Sequence, residues 1–353
     1  MKKVLALLLA LMMVFTLVAC STAEQNAAEA PKEDAAAPAA EKEAHTYYYV
    51  GTNHGHPYWS AVHQGFEYFA EKMGVNVIQA GPDTGDKAAQ ASALEQVVAK
   101  NPDGIVVAVF DEALVPGLKQ AKEAGIPVVA IESIIDSAVP YVESYVGLDN
   151  HQAGVQTGQE LIARAGDSGN LVILGNWGTA NTEQKLAGLK EYLANYPGWN
   201  IIAELEDKAI IETAIEQTKI AFNNYPEMTA IIGLNASSGA GIGSAMEELG
   251  KEPGCITAVV HDREVLTLEY VEKGYLDCTL VNKTYSMPSL ALLILEGLNT
   301  YEWQGQPLSG DNNAAGISVV PKYCYNDLVI VTGDNVQYFK EEAIPTYDTP
   351  NYQ

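Results

Sequence analysis

The sequence predicts an α/β protein made of two doubly wound, parallel-sheet lobes. Three observations lead there. Short, wholly apolar runs alternate with helix-length amphipathic stretches through most of the chain. The runs lack the polar alternation of a half-exposed strand, so they suit parallel strands covered on both faces. The pattern runs to Ile131 and restarts at Leu171, and 353 residues are enough for two domains of ordinary size. A (β/α)8 barrel shares the local pattern and is the alternative architecture.

The first residues read as an address rather than as fold. Lys2 and Lys3 precede an apolar run from Val4 to Ala19 that is too short to span a bilayer, which defines residues 1–19 as an export signal. Leu17-Val18-Ala19-Cys20-Ser21 resembles a bacterial lipobox, implying that Cys20 is lipidated and becomes the mature N-terminus. The plainer alternative is a secretory signal with a chance cysteine. Either way the destination is extracytoplasmic. A diacylglyceryl group at Cys20 would anchor the chain to the cell membrane, because each buried methylene contributes about 0.8 kcal/mol and two chains suffice. Residues 20–45 are mostly Ala, Glu, Pro, Lys and Asp and read as a flexible linker.

The body then runs strand, helix, strand. Tyr47 to Val50 is a strand, Pro57 to Lys72 a helix and Val75 to Ala80 a strand; Asp86 is a plausible cap for a helix to Lys100. Gly104 to Phe110 is the third strand, Ala113 to Ala124 the third helix and Val128 to Ile131 the fourth strand. After the restart, strands are expected at Leu171 to Leu174, Ile201 to Leu205, Ala230 to Leu234, Thr257 to Val260 and Thr279 to Val281. Helices are expected at Glu183 to Asn195, Thr213 to Asn224, Ala240 to Leu249 and Val265 to Lys273. Cys255, Cys278 and Cys324 are an odd number in a compartment that permits disulfides, so Cys255 and Cys278 are either bridged or buried free thiols.

Charge narrows the partners. With 20 Lys plus Arg against 45 Asp plus Glu, the formal charge is -25, which opposes binding to a polyphosphate backbone or to an anionic membrane surface. In open parallel sheets ligands gather beyond the carboxyl ends of strands. The residues there are Thr52 to Trp59, Phe110 to Glu112, Glu132-Ser133, Asp149-Asn150, Asn176-Trp177, Asn235, His261 to Arg263 and Asn282-Lys283. Amides and carboxylates mixed with aromatic rings suit a hydroxyl-rich ligand, whose hydroxyls donate and accept while its C–H faces stack on rings.

Gly51-Thr-Asn-His-Gly-His-Pro-Tyr-Trp-Ser-Ala-Val-His-Gln-Gly-Phe66 resembles the opening of sugar-binding proteins of the ribose/galactose type. The resemblance continues through Asn101-Pro-Asp-Gly-Ile-Val-Val, Ala124-Gly-Ile-Pro-Val-Val, Val146-Gly-Leu-Asp-Asn, Tyr225-Pro-Glu-Met-Thr-Ala-Ile, Val259-Val-His-Asp and Lys273-Gly-Tyr-Leu-Asp-Cys-Thr-Leu-Val-Asn. It implies a type I periplasmic binding protein fold: a monomer whose two lobes are hinged by three crossovers, with a monosaccharide or polyol in the cleft for an ABC permease. The crossovers are expected near Asn150, Asn282 and Asn313, giving one lobe of residues 46–150 plus 284–313 and another of 151–283 plus 314–353.

The resemblance also implies site residues. Tyr58 and Trp59 match the aromatic pair that sandwiches a sugar ring, and His56 stands where the family often has Asn. Asn235, Asp262 and Asn282 match groups that reach ligand hydroxyls; helix caps and hinge hydrogen bonds are their alternative roles. Glu132-Ser133 replaces an Asp-Arg of the pentose binders, and Lys185 replaces an expected Arg, so forked guanidinium contacts are missing. Trp177, Arg263 and Asp111 complete the candidate set.

Other chemistries find less support. His54, His56, His63 and His261 invite a metal-binding reading without a recognisable ligand spacing. The phosphate-loop spacing is absent, and Gly239-Ala-Gly241-Ile-Gly243 lacks the context of a dinucleotide fingerprint. Gly166-Asp-Ser-Gly169 lies at the amino end of a strand, where a turn rather than a nucleophile is expected. The expectation is therefore a binding protein with no cofactor and no enzymatic activity. A sensing protein that presents a sugar or furanosyl signal to a membrane receptor is the functional alternative.

Overall fold

The computed structural model of the chain describes residues 43–340. The export signal, Cys20, nearly all of the linker and residues 341–353 lie outside the described residues.

The first lobe is built on β1 (Thr46–Val50), β2 (Asn76–Ala80), β3 (Gly104–Val107), β4 (Val128–Ile131) and β5 (Ser144–Leu148). Between them run α1 (Ser60–Met73), α2 (Lys87–Val98) and α3 (Val115–Glu123). The second lobe follows with β6 (Ser168–Gly175), β7 (Gly198–Glu206), β8 (Ala230–Gly233), β9 (Thr257–His261) and β10 (Cys278–Asn282). Its helices are α4 (Asn150–Ala165), α5 (Ala180–Leu193), α6 (Ile211–Asn224), α7 (Ala236–Glu248) and α8 (Val265–Glu272). Helix α9 (Ser286–Asn299) returns to the first lobe, and β11 (Tyr323–Asn326) and β12 (Leu328–Val331) end the set.

The strands form two six-stranded sheets, ordered β11-β5-β4-β3-β1-β2 and β12-β10-β9-β8-β6-β7. Each sheet reads the same way from its fifth strand outward, so β4 in one corresponds to β9 in the other. All pairings are parallel except β10 with β12. Two open sheets dispose of the barrel alternative.

Both faces of each sheet are covered, as the unbroken apolar runs require. In the first lobe Tyr47, Tyr49, Val106, Val129 and Ile131 pack with Met287, Ala291, Leu292 and Leu295 of α9. Their strand neighbours Tyr48, Val50, Ile105, Val107 and Val128 point to the other face, against Leu94 of α2 and Leu118 of α3. Each such fully buried aliphatic or aromatic side chain contributes about 1.5–3 kcal/mol.

The chain crosses between sheets at Asp149, at Lys283 to Tyr285 and at Asp327. The third is not near Asn313, because the segment after α9 stays with the first lobe: Asn312 Nδ2 donates to the carbonyls of Gln304 (2.9 Å) and Gln306 (2.6 Å), and β11 pairs with β5. Residues 314–326 are thus not part of the second lobe.

Helices α4 and α5 approach closely through two glycines. A Cβ at Gly154 would lie 1.9 Å from the carbonyl oxygen of Lys185, and one at Gly188 would lie 1.9 Å from that of His151. Cys255, Cys278 and Cys324 are free thiols, so no bridge joins Cys255 and Cys278. Cys278 is buried in β10 and packs among Leu161, Leu171 and Leu280, whereas Cys255 is exposed on the loop before β9.

Candidate functional site

The strand tips of the two sheets meet at Tyr58, Glu132, Asp262 and Asn282. Tyr58 sits in the single 3-10 turn Pro57–Trp59 ahead of α1. His56 helps hold that turn, its Nδ1 accepting from the Tyr58 N–H at 3.1 Å, and burial lowers its pKa. Tyr58 Oη donates to Glu132 Oε2 at 2.5 Å. From the far end of β10, Asn282 Nδ2 donates to the same carboxylate oxygen at 3.1 Å and to Tyr58 Oη at 3.3 Å. Asn282 is only 4% exposed, and its Oδ1 has no hydrogen-bond partner among the described residues. A buried acceptor left unpaired costs about 1–3 kcal/mol, so this oxygen is poised for an external donor.

Glu132 and Asp262 occupy matching places, one residue past β4 and one past β9. Both have left-handed backbones, with φ of 64° and 70°, a conformation that costs energy for residues other than glycine and is common at functional sites. Their supports match as well. The Glu132 N–H donates to Val146 O (3.1 Å) and the Asp262 N–H to Leu280 O (2.9 Å). The Glu132 carbonyl accepts from Tyr145 Oη (2.8 Å) and that of Asp262 from Thr279 Oγ1 (2.5 Å).

Electrostatics follow from burial. Burial, reinforced by the nearby charge of Asp262, raises Glu132 to about 7, although the Tyr58 hydrogen bond and Lys185 oppose the rise. Burial also raises Asp262 against the pull of Lys185, and burial, helped by the charge of Asp262 and opposed by Arg263, raises Glu264 to about 7. Lys185 is buried, with Nζ donating to the Leu234 carbonyl at 3.3 Å. Beneath Asp262, His261 is held neutral chiefly by burial. Thr157 Oγ1 spends its proton on the Ala153 carbonyl at 2.8 Å, so His261 Nε2 is the donor in their 2.9 Å contact.

A cavity of about 220 Å³ opens beside this cluster. Tyr58, Asp262, Arg263 and Asn282 form part of its polar wall, and Leu268 and Phe339 part of its apolar wall. Glu264, Thr284 and Phe339 were missed by sequence reasoning; the place of Glu264, three residues past β9, was the one available signal.

The remaining candidates point elsewhere. Trp59 is buried in the first-lobe core, edge-on to Tyr58 at 5.2 Å and to Phe110 at 6.3 Å, and does not line the cavity. Asn235 caps α7, accepting from the N–H groups of Ser237 and Ser238, while its amide donates to the fully buried Asp207 at 2.8 Å. Asp111 caps a 3-10 turn and pairs with Lys87 at 2.9 Å. Trp177 packs against Gly175 and the second-lobe core. Of the histidines, His54 Nε2 faces the Ala80 carbonyl (2.9 Å) and its Nδ1 faces His63 Nε2 (2.9 Å). No group of three or more His, Cys, Asp or Glu among the described residues is placed to hold a metal ion.

Residues 47–298 match the periplasmic binding protein domain. The chain belongs to that family. A xylose/arabinose-binding protein of Sulfolobus acidocaldarius is 25% identical over 264 residues, 70% of this chain and 64% of the relative. A D-ribose/D-allose-binding protein of Pseudomonas aeruginosa is 30% identical over 187 residues, 51% of this chain and 58% of the relative. The match thus spans less than two thirds of the length of either relative. Among solved structures, the sugar-binding protein of a sugar ABC transporter from Bacillus halodurans superimposes with a TM-score of 0.75 at 28% identity, covering 84% of this chain and 99% of the other. An arabinose-binding protein from Geobacillus stearothermophilus gives 0.73 at 28% identity with the same coverage. The superpositions show that this chain shares the fold of the two solved structures.

Proposed function

We propose that this chain captures a monosaccharide or polyol between its lobes and delivers it to an ABC permease. The observation that carries the reading is the bridge of Tyr58, Glu132 and Asn282. It joins the strand tips of both sheets beside a cavity and leaves the buried Asn282 Oδ1 unpaired. Ligand that engages groups from both lobes binds the closed form better than the open one, and that difference lets a permease recognise the loaded protein. The relatives described above bind pentoses or hexoses or belong to a sugar transporter, which supports transport over the sensing alternative.

The protein acts in this reading as a monomeric carrier without cofactor or catalysis, outside the cytoplasm and tethered through Cys20. Within the site, Tyr58, Asp262, Arg263 and Asn282 touch ligand, Glu132 and Lys185 set the charge behind them, and Asn235, Asp111, His56 and Trp59 hold the walls. Calorimetric titration with pentoses, hexoses and polyols tests it. At least one should bind with a Kd on the order of micromolar, about -8 kcal/mol; if none shifts the protein at millimolar concentration, the reading fails. For the tether, Cys20→Ser should release the protein from the membrane fraction.

A further inference from the structure

We infer that the cleft favours an amine-bearing sugar or polyol, its protonated amino group seated against Asp262 with Asn282 Oδ1 beside it and Glu132 behind. This rests on the cleft-binding reading above and names the ligand class within it. Three observations point the same way.

The first is the inventory of hydrogen-bonding atoms. A neutral hydroxyl both donates and accepts, so a site for neutral polyols offers both kinds of partner. Here the donors of Tyr58 and Asn282 are already spent on Glu132 Oε2, and Ser60, Arg263 and Lys340 of the lining have partners of their own, while the Asp262 carboxylate lines the cavity and the buried Asn282 Oδ1 behind it has no partner among the described residues. An ammonium donates three hydrogen bonds and accepts none.

The second is charge. The carboxyls of Asp262, Glu264 and Glu269 line the cavity, and Glu132 stands behind its Tyr58–Asn282 wall. Against these four stand Lys185, Arg263 and Lys340, and Lys340 also pairs with Glu272 at 2.6 Å. His261 adds no charge, since its ring is held neutral. Glu132 and Glu264, both raised to about 7, ionise more readily when a cation sits beside them, so a cationic guest offsets the cost of burying these acids.

The third is the matched placement of the two acids. Glu132 and Asp262 are both held in left-handed backbone at equivalent strand tips of opposite lobes. A cation seated between them attracts one carboxyl from each lobe, which a neutral guest cannot do through charge.

Calorimetry on the mature protein at pH 7.5 tests the inference with three sets of probes: glucosamine, galactosamine and mannosamine; the N-acetyl forms; and neutral pentoses, hexoses and polyols. At least one amine should bind tenfold or more tighter than its hydroxyl parent and its N-acetyl form. Asp262→Asn keeps the shape and tolerates the left-handed backbone. It should weaken the amine by about 30-fold or more, and by clearly more than it weakens any neutral probe, and Glu132→Gln should act in the same direction. If a neutral sugar binds as tightly as every amine, or if Asp262→Asn weakens both equally, the amine assignment is overturned and sugar capture stands. If no probe of any set binds, both fall. Circular dichroism of each variant confirms the fold.

Discussion

Glu132 gives the sharpest test of the electrostatics. Its carboxyl moves from an ordinary 4.5 to about 7, driven first by burial. A carboxyl whose pKa is raised on folding binds its proton more tightly in the native state. Between pH 4.5 and 7 the native protein therefore holds more protons than the unfolded chain, and stability falls as pH rises through that window. The full span corresponds to about 3 kcal/mol. Replacing Glu132 by Gln removes the titration while keeping a carbonyl for Tyr58 Oη and Asn282 Nδ2. Urea denaturation of both proteins at pH 4, 5, 6, 7 and 8 reads the difference. Glu264 titrates in both and cancels. The variant should gain about 3 kcal/mol on the parent between pH 4 and pH 8, reaching its plateau above pH 7. A difference that stays constant to within about 0.5 kcal/mol over the range would refute the assignment of a raised, buried carboxyl.

Four further outcomes are expected. Trp59→Ala should cost about 3–5 kcal/mol of stability in urea, because the ring lies in the first-lobe core; a loss below about 1 kcal/mol would return it to the cavity wall. Asp207→Ala should cost about 3 kcal/mol by stranding the donors of Asn235, Ser238 and Ala209, measured in the same way. Glu296 is held below the usual carboxylate range, its hydrogen bonds to Thr300, Tyr47 and His45 outweighing burial. The stability it supplies is present above about pH 4.5 and lost as pH falls, so Glu296→Gln should flatten the acid limb of the stability profile. Gly188→Ala should cost about 1–3 kcal/mol, since the added methyl meets backbone that cannot yield without moving α4 against α5; a neutral effect would contradict the helix contact.

Most of the fold was legible because both-face burial leaves unbroken apolar runs, as in Val128–Ile131, where strand and run coincide. The bounds of helix α4 were not legible. Its buried stripe is Asn150, Ala153, Gly154, Thr157, Gly158 and Leu161, with a single large apolar residue, because α5 packs too close for large side chains. Helix α9 hid for the opposite reason: Leu290 to Leu295 is apolar without interruption, which does not separate helix from buried strand. Strand β11 escaped because it is an edge strand whose Tyr323 and Tyr325 face solvent. At the site, the strand-tip rule names Glu132, Asp262 and Asn282, which the backbone brings close to one another beside the cavity. It misplaced Trp59 and Asn235 because neighbours decide which way a side chain turns: Asp207 claims the Asn235 amide, and the aromatic cluster around Tyr49 claims Trp59.

Asp327 alone separates a strand of one sheet from a strand of the other, and Asp149 alone separates β5 from the start of α4. Any swing of the lobes must be taken up by the few torsions at those residues and along Lys283 to Tyr285. A few torsions turned far enough can swing a whole lobe, so short crossings restrict the direction of such a swing more than its extent. A proline at 327 would fix one of those torsions and jam the motion without touching a single ligand contact.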